Sequence, residues 1–207
     1  MRIKKFDRIE PDERKALLVK STIRSLAADG YAGLSVRKIT KEANVSQGLL
    51  NHHFGSINAL ITYAYFDISK RFLESIVAQV ERCEGSASDK LDAFFRCNFA
   101  DDYFDKELLK PWLVFWSLIR DSAEMAEAYE VSNGKVEEIL FSLLTAISEE
   151  DKLINVDISL ATQGLMAMLD GLWVRQCLAP EHISLSDSLQ VCRNWTKAYR
   201  AGVFTAS

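Results

Sequence analysis

Apolar residues recur at helical spacing along almost the whole chain, in blocks separated by Gly, Ser, Asn and short charged runs. In the first block Ala16, Val19, Ile23, Leu26 and Ala27 fall three and four residues apart and predict one apolar helix face. Pro11 suits the first position of this helix, Asp12 and Glu13 favour its N-terminus, and Gly30 ends it. Tyr31 and Leu34 are expected to close the core beneath it. From Ser35 to Leu60 the pattern predicts two short helices, a tight turn between them, and the start of a third. Val36, Ile39 and Ala43 form the inner face of the first, with Ser35 as N-cap and Asn44 as a left-handed end. Val45 tucks under the turn, and Ser46 caps the second helix. Gly48 is expected to let the two helices approach closely, and Leu49 and Leu50 point inward. Gln47, Asn51, His52 and His53 then point outward. A short helix with a polar outer face fits a DNA major groove, although the same pattern fits a plain helical hairpin.

The remainder is also helical. Asn58 to Arg82 forms one long pattern with Leu60, Tyr63, Ala64, Phe66, Ile68, Phe72, Ile76 and Val80. Residues 84–88, EGSAS, predict a turn. Leu91 to Ala100 follows, with Leu91, Phe94, Phe95 and Phe99 inward, and then an acidic connector at 101–105. Within 107–120, Pro111 should kink the helix or mark its true start, and Trp112, Phe115, Trp116 and Ile119 share a face. Helical patterning continues over 123–147. Ile158 to Leu178 is apolar almost all round, so it must be covered on every side. One side can pack on its own body and the other on a second copy, joined by Leu185 to Tyr199 in a four-helix interface. The competing expectation is a helix at the centre of a monomeric bundle. Strand alternation and GxGxxG are absent, so the fold class is all-α throughout.

Charge changes this picture most. The net charge of −4 is unevenly spread. Residues 1–58 hold 11 Lys+Arg against 6 Asp+Glu, a net +5, and residues 59–207 hold 14 against 23, a net −9. The segment with the helix pair therefore attracts phosphate, and the acidic body repels it. Met1 to Arg8 is a basic arm. Lys38, Lys41 and Ser46 are candidate phosphate contacts. Hydrophobic residues at 48% and charged residues at 26% are ordinary for a globular chain, and no apolar run reaches membrane-spanning length. The N-terminus lacks the apolar core of a signal peptide, so a cytoplasmic location is expected. The four cysteines are far apart with no CxxC pair, which implies free thiols, no metal and no cofactor. The three histidines accompany no nucleophile elbow, metal spacing or phosphate loop, so an enzyme is not expected.

The wider spelling goes further. A helix ending in DGYAGLSV, then VSQGLLNHHFGS, resembles the TetR family of one-component repressors over roughly residues 12–72. That resemblance implies a three-helix helix-turn-helix domain, 1–57, and a larger helical effector-binding and dimerisation domain, 58–207. It implies DNA contacts from Ser35, Lys38, Lys41, Ser46, Gln47, Gly48, Leu49, Asn51, His52 and His53, and a homodimer on a pseudo-palindromic operator. The segments CNFADDYFDKELLKPWLVFWSLIRD and LMAMLDGLWVRQCL are similar to the choline-responsive BetI branch. That branch represses genes that make glycine betaine from choline and is relieved by choline. Two positions depart from the family pattern: His53 stands where Tyr is usual, and Ile57 where a phosphate-touching Lys is common.

A quaternary ammonium offers no N–H, so only aromatic faces and carboxylates can grip it. Trp112, Phe115, Trp116, Tyr129 and Trp173 supply rings, and Asp102 and Asp170 are the acidic candidates. The same rings could be plain core. Asp170 stands out, since a carboxylate on so apolar a helix needs a partner, with Arg175 or Arg120 in reach. The competing expectations are a TetR-type repressor answering another hydrophobic or cationic ligand, and a helical enzyme.

Overall fold

The structure, a computed structural model, describes residues 11–100 and 106–204. Among them are α-helices α1 (Pro11–Asp29), α2 (Val36–Glu42), α3 (Gln47–Phe54), α4 (Ile57–Arg82), α5 (Ala87–Asn98), α6 (Lys106–Leu118), α7 (Ala123–Glu150), α8 (Ile158–Leu178) and α9 (Leu185–Arg200). The basic arm and the acidic connector, with Asp102, lie outside the described residues.

Most of these helices begin where a side chain can accept a bond from an otherwise unpaired first-turn amide. Ser35, Ser46, Ser56, Ser122 and Asp157 do so for α2, α3, α4, α7 and α8. Ser86 and Ser184 form full capping boxes with Asp89 and Asp187. Gly85 is needed before the first of these, because a Cβ there would lie 2.6 Å from the Asp89 Cβ. Pro111 lies inside α6 and is not its start; its missing N–H falls in the second turn.

α1, α2 and α3 form a small unit whose core holds Leu18, Val19, Leu26, Ile39, Ala43 and Leu50. The α1 face differs from the expected stripe. Ala16 is exposed, and Ser21, Thr22 and Ser25 are buried beside Leu18 and Leu26. Their hydroxyls are tolerated where they find local acceptors: Thr22 donates to the Leu18 carbonyl at 2.8 Å and Ser25 to Glu42 at 3.4 Å. Tyr31 is 46% exposed and does not close this core, while Leu34 packs at its edge.

α4 leaves this unit and enters the larger body, packing on α1, α5 and α7. Its inward face carries Leu60, Ile61, Ala64, Tyr65, Ile68 and Ile76. Phe66, expected inward, is exposed, and its neighbour Tyr65 takes the buried position. The body packs Phe94 and Phe95 of α5, Phe115 of α6, and Leu140 and Leu144 of α7 around the inner side of α8. Arg193 of α9 bonds Asp92 of α5 at 2.6 Å, and Arg200 bonds Asp151 at 2.5 Å. Tyr199 is fully buried, stacks on Trp195 at 5.6 Å, and donates its hydroxyl to the Leu144 carbonyl at 2.9 Å. Tyr199→Phe keeps the packing and deletes that bond. It is expected to cost about 1 kcal/mol, read as a Tm lower by about 2–4 °C in thermal unfolding; an unchanged Tm would show the bond is not stabilising.

Candidate functional site

The residues singled out in sequence gather at two places among the described residues. The first is α3. Asn44 takes φ +54°, the left-handed conformation that turns the chain between α2 and α3. Ser46 then accepts from the Leu49 amide at 3.2 Å and fixes the start of α3. Leu50 is fully buried, which sets the rotation of the helix. Gln47, Gly48, Asn51 and His52 are consequently exposed, and Leu49 and His53 are half-buried. His53 packs its ring against His52 at 5.4 Å and Phe54 at 6.3 Å. Gly48 has a different role from the close approach expected of it, since an added Cβ would meet only the Ser46 Oγ at 3.8 Å.

The flanking positions are less alike than the sequence suggests. Ser35 caps α2 through the Lys38 amide at 3.3 Å. The Lys38 ammonium is paired with Asp29, so it must leave that carboxylate to meet a phosphate. Lys41, exposed in the last turn of α2, has no ion-pair partner among the described residues. Ile57 opens α4 and packs against the core, so it offers no charge there. Lys15 lies over the Tyr63 ring at 3.9 Å and fastens α1 to α4 behind the reader.

The second place is a cavity of about 100 Å³ inside the body. An engineered cavity of about 150 Å³ admits benzene, so this one suits a small ligand. α4 supplies Tyr65, Ser69, Phe72 and Leu73 to its wall, and α6 supplies Trp112 and Trp116. α7 adds Tyr129, Ser132, Asn133 and Val136; α8 adds Met166, Leu169, Asp170 and Trp173; and Asn98 comes from α5. The rings are mutually edge-on or tilted. Trp112 lies 5.9 Å from Tyr65, 6.5 Å from Phe72, 6.3 Å from Trp116 and 5.7 Å from Trp173.

The polar groups in this wall are unevenly satisfied. Trp173 Nε1 donates to Asn98 Oδ1 at 2.7 Å, and the Tyr65 and Ser132 hydroxyls lie 3.3 Å apart. Trp112 Nε1 is buried with no partner among the described residues. Asp170 makes no hydrogen bond or ion pair with another described residue, so neither Arg175 nor Arg120 neutralises it. Its apolar surroundings raise its pKa above the usual carboxylate range, although one side of it faces solvent in the isolated chain. Burial raises the Tyr129 pKa and the Asp170 charge adds to it, so this carboxylate's field reaches the cavity.

Of the residues singled out in sequence, Trp112, Trp116, Tyr129, Asp170 and Trp173 line the cavity. Phe115 does not; it is fully buried behind Trp112 and Tyr65 as core. Asp102 lies outside the described residues. The α4 wall went unread. Tyr65, Ser69 and Phe72 stand at i, i+4 and i+7, a signal that was available but mixes a hydroxyl into an aromatic face. No group of three or more metal-ligating side chains and no helix long and apolar enough to cross a membrane occurs among the described residues.

Comparison with known proteins agrees with this two-part layout. Residues 18–70 match the bacterial regulatory proteins of the tetR family, and residues 87–201 match the BetI-type transcriptional repressor C-terminal domain. The HTH-type transcriptional regulator BetI of Vibrio campbellii is 28% identical over 84% of this chain and 85% of its own. BetI of Vibrio atlanticus is 26% identical over 89% and 90%. The crystal structure of a candidate transcriptional regulator from Pseudomonas aeruginosa PAO1 superposes with TM-score 0.88 at 34% identity, covering 97% of each chain. A regulator from Saccharomonospora viridis, crystallised in complex with choline, shares the fold at TM-score 0.79 and 16% identity, over 90% of this chain and 96% of its own. With both segments matched and a 34% identical relative spanning nearly its whole length, the chain belongs to the TetR family of transcriptional regulators, and its C-terminal domain is of the BetI type.

Proposed function

We propose that this regulator is a homodimeric, cytoplasmic repressor that reads a pseudo-palindromic operator through α3 and is released by choline or a close quaternary ammonium, controlling betaine synthesis. The observation that carries the effector reading is Asp170, a carboxylate without a hydrogen-bond or ion-pair partner among the described residues, in the wall of a cavity walled by Trp112, Trp116, Phe72 and Trp173. Aromatic faces replace water around the methyl groups, and the carboxylate offsets the cation's charge. The choline-bound relative and the BetI relatives support the same class of ligand. Dimerisation is supported by the outer side of α8, where Leu160, Gly164, Ala167, Gly171 and Leu178 form an exposed stripe.

The route to DNA runs through two helices. α4 and α6 wall the cavity, and both pack on α1 of the reader unit. On α6, Lys110 Nζ donates to the Ala28 carbonyl in the last turn of α1 at 3.2 Å, two residues before Trp112. A ligand that spreads Trp112 from Phe72 therefore shifts both helices against α1 and changes the spacing of the two readers. Operator affinity falls by as much as the ligand prefers the mis-spaced state.

Calorimetry with choline, beside operator binding, tests this reading. Trp116 is half-buried and lines the cavity, so Trp116→Leu removes a ring at small cost to the fold. It is expected to raise the choline Kd about fivefold to thirtyfold while repression without ligand is kept. Choline binding should also weaken as the pH falls through the Asp170 pKa, because protonation removes the charge that faces the cation. Absence of both heat and operator release at millimolar choline would overturn the effector reading and leave DNA binding untouched.

A further inference from the structure

Trp112 and Trp173 both line the same cavity and pack edge-on with ring centroids 5.7 Å apart, yet their N–H groups are treated differently. Trp173 Nε1 gives its proton to Asn98 Oδ1 at 2.7 Å. Trp112 Nε1 is equally enclosed, in a residue only 6% exposed, and has no acceptor among the described residues. A buried donor without an acceptor loses its water and gains no bond in return, so native structures rarely keep one. Packing explains the Trp112 ring, which touches Tyr65, Phe72, Phe115 and Trp116. It does not explain the unbonded nitrogen, since a Phe would fill an apolar wall without that deficit.

An oxygen acceptor on a ligand ends the deficit. A trimethylammonium head cannot, because it carries no lone pair. We propose that Trp112 is a specificity-determining residue whose indole N–H bonds an oxygen on the ligand, so that the cavity selects cations bearing an acceptor over bare alkylammonium ions. This rests on the reading of the cavity as a quaternary-ammonium site. The rings and Asp170 hold the head group without regard to what else the molecule carries, and Trp112 reads the other end. Trp173 is unsuited to that task because Asn98 already occupies its proton.

Propyltrimethylammonium is the probe, since it replaces the hydroxyl of choline by a methyl and keeps charge and length. Calorimetry on the full-length wild type should give choline a Kd about fivefold to tenfold lower than propyltrimethylammonium. In Trp112→Phe the two should bind within about twofold of each other, whatever the smaller ring costs both alike. Nitrogen-15 spectra of the wild type make the same test without a variant: the Trp112 indole proton should move downfield with choline and stay in place with propyltrimethylammonium. Equal affinities in the wild type, a preference that survives Trp112→Phe, or an indole proton that ignores choline would each overturn the inference while leaving the cation site standing. If neither ligand binds the wild type, the cation site itself falls and this inference with it.

Discussion

A variant carrying Asn51→Ala and His52→Ala is expected to lose operator recognition while remaining folded. Both side chains are exposed on α3, one and two positions after the fully buried Leu50, so they leave the core intact. Alanine is also the better helix former at both positions. Each good base contact is worth roughly 1–3 kcal/mol of discrimination, so losing two in each half-site, four across the dimer, should weaken operator binding by about a thousandfold or more. Binding to unrelated DNA should persist, because the basic residues around the reader are unchanged and phosphate contacts carry no sequence information. Titration of operator and scrambled duplexes at one salt concentration, beside a thermal melt, separates the outcomes. A Tm several degrees lower would mean that these residues support the fold. An unchanged preference for the operator would move the reading elsewhere on the chain.

How much of this was legible in the sequence depended on whether hydropathy and burial agree. They agree along α8, whose run from Ile158 to Leu178 is bounded by the cap Asp157, and the observed helix has those bounds. They agree at Asn44, where a residue tolerant of the left-handed region stands between two short helices and takes φ +54°. They disagree on α1. Thr22 and Ser25 are buried because their hydroxyls are bonded within the unit, so the true inner face keeps Val19 and Leu26 of the expected stripe but is rotated away from Ala16. On α4 two adjacent aromatics compete for one inward position. A hydropathy scale favours Phe66, but Tyr65 can bury its ring and still place its hydroxyl 3.3 Å from that of Ser132.

The cavity was half legible for a related reason. Rings on α6 and α8 mark a place where two helices face each other, but a periodic pattern cannot say which ring meets a void and which meets core. Phe115 and Trp116 are neighbours in sequence, and the turn of α6 sends the first into the core and the second to the cavity. Asn98 was invisible, because a buried amide looks like a loop residue until the donor that its oxygen accepts from is found on Trp173. The unneutralised Asp170 is the converse case. A carboxylate in an apolar run was conspicuous in sequence, and only the three-dimensional arrangement shows that neither Arg120 nor Arg175 pairs with it.

The largest assembly effect is expected from α8. Its inner side is covered by its own chain, through Ala161, Leu165, Leu169 and Leu172. Its outer side is not: Leu160 is 62% exposed and Leu178 69%, with Gly164, Ala167 and Gly171 between them and Val191 of α9 alongside. Small residues between larger apolar ones let a second helix approach closely, and an uncovered apolar stripe of this length favours a partner over water. A Cβ built on Gly164 or Gly171 meets nothing within 4 Å in the free chain. Gly164→Glu with Gly171→Glu should therefore leave each subunit as stable as before or slightly more so, since glycine is a poor helix former. Across a two-fold interface the same carboxylates would meet their copies and exclude close packing. Light scattering should give the wild type twice the chain mass at micromolar concentration and the variant a single chain. Operator affinity should fall by at least about a hundredfold, because two linked readers gain effective concentration that single ones lack. A wild type that runs as a monomer would refute the interface outright. A variant that stays dimeric with unchanged operator affinity would show that the copies meet through another face.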